Sequence, residues 1–249
     1  MRHKYTVRAL ILLIFAFIPT ISLAKQNLPM FSISLANKYF PLCLMKVPLI
    51  EQRYRLSWFA YILESMKEPP LWPLVKKPNQ MSYRFILGRG RQEPIILRLD
   101  RSPKGAWVLS IKKANSAAVV KNNLKLWASV HKKRTLTKQE AEQFHRLFDA
   151  LEFWTLPSPP PLETNQVLDG STWAFEAVEK GQYNVVWRIL PKDDNNWYSD
   201  PHIDREREDL KGYPLIDRAT YLDVNKKLVG VCEFLLERSD LNLKTKEIY

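Results

Sequence analysis

Two neighbouring segments with strict alternation constrain this chain most. Ile95, Leu97 and Leu99 interleave with Ile96, Arg98 and Asp100, and Trp107, Leu109 and Ile111 repeat the pattern after a turn marked by Pro103 and Gly105. A period of two puts alternate side chains on opposite faces of an extended backbone, so both segments read as strands with one buried face. Similar short segments predict strands over 83–87, 94–99, 106–112 and 124–131. Farther on, 171–178 and 182–190 read as a hairpin. A three-residue connection, Glu179-Lys180-Gly181, would use Gly181 at a left-handed position. That register sets Trp173, Phe175 and Ala177 on the same face as Tyr183, Val185 and Trp187, with Glu176, Asn184 and Arg188 on the other.

Elsewhere the period switches to that of a helix. Thr137-Lys138-Gln139-Glu140 is a capping box, in which the threonine hydroxyl takes the Glu140 amide and the glutamate returns to the cap amide. The helix it opens carries Ala141, Phe144, Leu147, Phe148 and Leu151 on one face and ends near Trp154, before a proline-rich stretch. Tyr54, Trp58, Tyr61 and Ile62 predict a helix over 49–66, stopped by Pro69-Pro70. A last helix is expected over 221–238, with Leu228, Cys232 and Leu235 on its apolar stripe. Residues 25–50, broken by Pro29, Pro41 and Pro48, read as an extended lead-in. These elements predict an α+β fold: an antiparallel sheet of about six strands packed against two or three helices. The expected organisation is a signal peptide over 1–24, an N-terminal extension with one helix over 25–80, and an α+β domain over 81–249.

The signal peptide rests on a tripartite pattern. Arg2, Lys4 and Arg8 precede an uninterrupted apolar run over 9–18, Pro19 breaks it, and Ser22-Leu23-Ala24 offers small residues where a signal peptidase reads. The apolar stretch is shorter than the roughly 20 residues of a membrane-spanning helix. The expected compartment is therefore periplasmic or extracellular, with membrane attachment only through an uncleaved signal. Disulfides are permitted there, and the chain has two cysteines, Cys43 and Cys232. A bond between them and a buried free thiol at Cys232 are both compatible with the pattern.

Charge is unevenly divided. Residues 25–138 hold 22 Lys/Arg against 5 Asp/Glu, whereas 139–249 hold 13 against 21. The stretch Arg101 to Lys138 carries ten basic residues and no acid. Clustered like charge raises the local potential and attracts a counter-charged partner. Lys112, Lys113, Lys132, Lys133 and Arg134 are the expected partner-binding residues, projecting from strand edges and turns. Export argues against nucleic acid and for an acidic protein, an anionic lipid or an envelope polymer. The alternative, that the two halves simply neutralise one another, needs no partner at all.

Signals for catalysis are sparse. There is no G-x-S-x-G, H-E-x-x-H or C-x-x-C pattern, and seven glycines leave little for a phosphate cradle. No cofactor is expected. Asp200, His202, Asp204 and Glu206 alternate in an acidic segment, so an extended backbone would turn all four to one side as candidate metal ligands. Arg205 and Arg207 interleave with them, which suits a solvated loop with local ion pairs equally well. Glu176 with Asn184 and Arg188 forms another conceivable polar site, without a placed nucleophile or acid–base partner.

Tyr83-Arg84-Phe85, Glu152-Phe153-Trp154, Asp169-Gly170-Ser171-Thr172-Trp173, Glu176, Tyr183, and Arg188 with Pro191 form a pattern, completed by Phe234-Leu235-Leu236. It resembles a group of uncharacterised exported bacterial proteins. The resemblance implies export and an α+β fold and carries no activity; the helix at 49–66 and the segment 192–211 lie outside it. The reading is an exported, non-catalytic protein that binds an anionic or acidic partner, of inhibitor or immunity type. Its competitor is a metal-assisted hydrolase built on the 200–209 segment.

Overall fold

A computed structural model describes residues 33–41, 50–77, 79–89, 92–115, 128–156, 171–189 and 218–243. Six strands, β1 (Ser82–Arg89), β2 (Ile95–Arg101), β3 (Trp107–Ala114), β4 (Ala128–Thr135), β5 (Ser171–Glu179) and β6 (Gln182–Ile189), form one antiparallel sheet in the order β4-β3-β2-β1-β5-β6. Among the described residues four α-helices accompany it: α1 (Ile33–Tyr39), α2 (Ile50–Ser65), α3 (Lys138–Ala150) and α4 (Arg218–Arg238). This is the α+β class that the alternating segments and the capping box predict. No helix among the described residues is long and apolar enough to cross a membrane.

The sheet is covered on both faces. On one, Tyr83, Phe85 and Leu87 of β1, with Leu97, Leu109, Phe175 and Val186 of its neighbours, pack against Phe144 and Phe148 of α3 and Leu228, Cys232 and Leu235 of α4. Tyr83 meets Phe144 and Phe148 edge-on, with ring centroids 4.9 and 4.7 Å apart. On the other face, Ile86, Ile96, Ala174, Val185 and Trp187 receive Leu56, Phe59, Ile62 and Leu63 of α2. Helix α2 comes close enough that a Cβ on Gly88 would stand 2.9 Å from the Trp58 indole nitrogen and 2.7 Å from the Thr172 hydroxyl.

The capping box is present as expected: Glu140 N–H donates to Thr137 Oγ1 (3.2 Å), and Thr137 N–H donates to Glu140 Oε2 (2.9 Å). Helix α2 ends differently, in a Schellman turn. Glu68 N–H donates to Leu63 O and Lys67 N–H to Glu64 O, with Lys67 itself at φ 52°, a left-handed conformation usually left to glycine.

Three sequence expectations are corrected. The lead-in is not wholly extended: the proline-free Ile33–Tyr39 is helical and buries Ala36 and Tyr39, with Phe40 just beyond, against α2. The fourth strand is described over 128–135 and so runs past the expected end at 131, which places Lys132, Lys133 and Arg134 within it, while 124–127 lie outside the described residues. Charged side chains suit the outermost strand of a sheet, and there they do not end the strand. Finally, the β5–β6 hairpin uses a two-residue turn, Lys180-Gly181, both at positive φ (50° and 77°), pairing Glu179 with Gln182. Trp173 therefore lies opposite Arg188 and Phe175 opposite Val186, while Tyr183, Val185 and Trp187 face α2 with Glu176. Because both faces are buried, the row carrying Asn184, Val186 and Arg188 is core as well, its polar members satisfied by Phe153 O and Asn225, so matching apolar rows does not select the register.

Candidate functional site

Two places concentrate charge. The first is buried between α2 and the sheet. Arg84, Arg98 and Lys112 lie on adjacent strands with side chains on the α2 face, as do Asp100 and Glu176, and the Schellman turn carries Glu68 in above them. The Arg84 guanidinium, fully buried, donates to Glu176 Oε2 through Nε (2.9 Å) and Nη2, and to Pro69 O (2.6 Å). Tyr183 Oη donates to the second oxygen of Glu176 at 3.0 Å. Arg98 spans Glu68 (3.2 Å) and Asp100 (3.0 Å), and Ser82 donates to Asp100 as well. Lys112 Nζ reaches Glu68 Oε2 at 2.7 Å and donates to the carbonyls of Met66 and Lys67.

Three cations thus meet three carboxylates. Burial pushes the Glu68 carboxyl up, but Arg84, Lys112 and Arg98 outweigh it and hold it below its ordinary value. Burial pushes the Glu176 carboxyl up, against the pull of Arg84 and Tyr183, and pushes the Tyr183 phenol well up. Every carboxylate here accepts from a cation, so the cluster neutralises itself. Its geometry clamps the end of α2 to strands β1, β2, β3 and β5. Its members are buried or partly buried and paired with one another, the arrangement of a structural fastening.

The second place is the outer edge. Strand β4 pairs with β3 and is the outermost strand among the described residues, and its side chains His131, Lys132 and Lys133 are all exposed. Among the described residues, neither Lys132 nor Lys133 takes part in an ion pair. The five basic residues singled out in the sequence therefore divide. Lys112, on interior strand β3 rather than at an edge or turn, is 12% exposed and spent on Glu68. Lys113, also on β3, lies 3.8 Å from Glu93. Arg134 donates to Glu140 (2.6 Å) and to Arg238 O (3.0 Å). Of the five, Lys132 and Lys133 present their charge outward, and His131 is exposed beside them.

The polar trio of the hairpin is not brought together. Glu176 lies on the α2 face; Asn184 and Arg188 lie on the other, where Asn184 donates to Phe153 O (2.9 Å) and Arg188 Nε to Asn225 Oδ1 (2.9 Å). Asp200, His202, Asp204 and Glu206 fall outside the described residues, as do the signal segment and Cys43. Among the described residues no group of three or more His, Cys, Asp or Glu is placed to hold a metal, and Cys232 is a buried free thiol. His145, packed on Tyr83 and Trp107, is held below its ordinary value by burial, as suits a histidine on the rim of the core.

Sequence reasoning missed Glu68 and the meeting of Arg84, Arg98 and Lys112. A signal was present: Arg84 stands between Tyr83 and Phe85, and Arg98 and Asp100 stand in the apolar run of β2. Charges spaced by two in strands that are otherwise core need partners from elsewhere. No family model matches the sequence, and no curated protein matches it either.

Proposed function

We propose that this is an exported, non-catalytic protein that binds an anionic or acidic partner along the basic edge of the sheet. The observation that carries the reading is the run His131-Lys132-Lys133, exposed side by side on the outermost strand and lying within the acid-free stretch. The self-neutralised cluster under α2 supports it from the other side, because the most concentrated charge in the described residues is committed to holding the fold. Export rests on the tripartite pattern of residues 1–24.

The test is the double variant Lys132→Gln, Lys133→Gln, assayed against an acidic peptide, anionic vesicles and polyphosphate at low and high salt. Binding should weaken, and its salt dependence should flatten, because exposed charges are screened over about 8 Å at physiological ionic strength. Stability should change by no more than about 0.5 kcal/mol. Unchanged affinity and salt slope in a folded double variant would make the edge a solvated surface only.

A further inference from the structure

Resting on that reading, we infer that the partner is an extended acidic segment of another protein, taken as a seventh strand on β4. The main chain supplies the reason. Leu136 N–H donates to Trp107 O at 2.9 Å, and Trp107 lies on β3 one position before the Val108–Thr135 pair. In an antiparallel ladder the bonding direction repeats every two residues. The N–H and C=O groups of Val130, Lys132 and Arg134 therefore face β3, and those of His131, Lys133 and Thr135 face away from the sheet. Among the described residues, no strand pairs with that outer side.

The strand is shaped for a short guest. Its register with β3 slips between Lys113 and Ala114, where the Ser129 hydroxyl donates to the carbonyls of both residues, at 3.2 and 2.9 Å. Past this bulge, Val130 to Thr135 pairs without interruption, a run of about 20 Å at 3.3 Å per residue. Three outward donors and three outward acceptors give a guest its backbone affinity, and the side chains give its sign.

Lys132 and Lys133 point to opposite faces of the sheet, so a paired guest meets one lysine on each side. The matching guest carries two consecutive acids at its centre, one for each face. A second copy of this chain fails that requirement. Antiparallel pairing of β4 with itself matches residues that share a face, so a pairing centred on Lys133 sets that lysine against its own copy and Lys132 against Arg134, like charge opposite like. Edge lysines turn away general edge-to-edge pairing, and the same lysines select an acidic strand.

The probe is a ten-residue blocked peptide with two central glutamates flanked by valine and threonine, measured by fluorescence anisotropy on the whole mature protein. Its counterpart carries N-methyl groups on alternate amides along one edge and keeps the same charge. On the protein side, Lys133→Gln removes the charge alone, and Lys133→Pro also removes an outward N–H without touching the bonds to β3. Lys133→Gln should weaken the peptide a few-fold. Lys133→Pro should weaken it about tenfold further, the scale of a lost backbone hydrogen bond and its neighbours, and so should N-methylation. The methylated peptide keeps the test sound even if the proline variant folds poorly.

If methylated and unmethylated peptides bind alike, or polyphosphate binds as tightly and competes, strand addition is overturned while the basic-edge reading stands. If no anionic probe binds the wild-type protein, both fall.

Discussion

The two faces of the sheet solve the same packing problem by different chemistry. Under α3 and α4 the contact is built largely from a chain of aromatic rings, with Tyr83 against Phe144 and Phe148, Phe148 against Phe153, and Phe153 against Phe175. Under α2 an apolar patch gives way to six charged side chains that neutralise one another. The aromatic face gains by removing area from water and tolerates approximate shape. The ionic face gains little from burial, since desolvation offsets attraction, but it fails sharply when one partner is missing. It fixes where the end of α2 lies on the sheet more than it stabilises the fold.

Single truncations give the largest effects and do not separate the faces. Phe144→Ala and Glu176→Ala should each cost about 3–5 kcal/mol in denaturant unfolding, one by leaving a cavity, the other by stranding the buried Arg84. Double replacement does separate them. Arg84→Met with Glu176→Leu should recover most of the loss, because removing both charges also removes their desolvation. A double variant as unstable as Glu176→Ala would mean that the cluster contributes net stability.

Acidity sharpens the same contrast. In Glu68→Gln the three cations lose a carboxylate, and the expected cost near neutral pH is about 3 kcal/mol. The folded protein holds Glu68 below its ordinary value, so its contribution is complete above about pH 4.5 and is lost as pH falls through the lowered value. The stability gap between wild type and variant should therefore close in acid, whereas the gap for Phe144→Ala should persist. A gap that is constant with pH would remove Glu68 from the ionic face.

Smaller effects lie at the helix ends that frame each face. Thr137→Ala should cost about 1 kcal/mol by opening the cap of α3. An unchanged denaturation midpoint would show that the cap contributes nothing. Lys67→Gly should stabilise by about 0.5–1 kcal/mol, because glycine accepts the left-handed turn after α2 without steric cost. Destabilisation instead would show that the Lys67 side chain contributes to the clamp.

The aromatic face was the legible one. Alternation in 95–99 and 107–111 marks its strands, and Ala141, Phe144 and Phe148 behind the Thr137 box mark its helix. The α2 face was hidden for a physical reason. Its row in β1 and β2 mixes Arg84, Ile86, Ile96, Arg98 and Asp100, which looks like a solvent face until a second layer covers it. The hairpin register failed for the same cause, since Trp187 and Val186 are both buried, on opposite sides. Charge asymmetry located the basic half but could not say which lysines are spent internally. That depends on Glu68, Glu93 and Glu140 arriving from other elements.

One carboxylate fastens three distant parts of the chain. Glu140 Oε2 closes the cap at Thr137, and Glu140 Oε1 receives Arg134 from β4 at 2.6 Å and Arg238 from the end of α4 at 3.0 Å. Only Leu136 and Thr137 separate β4 from α3, so the edge strand and the helix behind it share a short, stiff joint. A displacement of β4 is passed through this joint to the first turn of α3, and through Glu140 to the end of α4. The basic edge and the end of α4 thus share one carboxylate, and Arg134 also donates directly to Arg238 O, so a displacement of β4 has a short route to both helices.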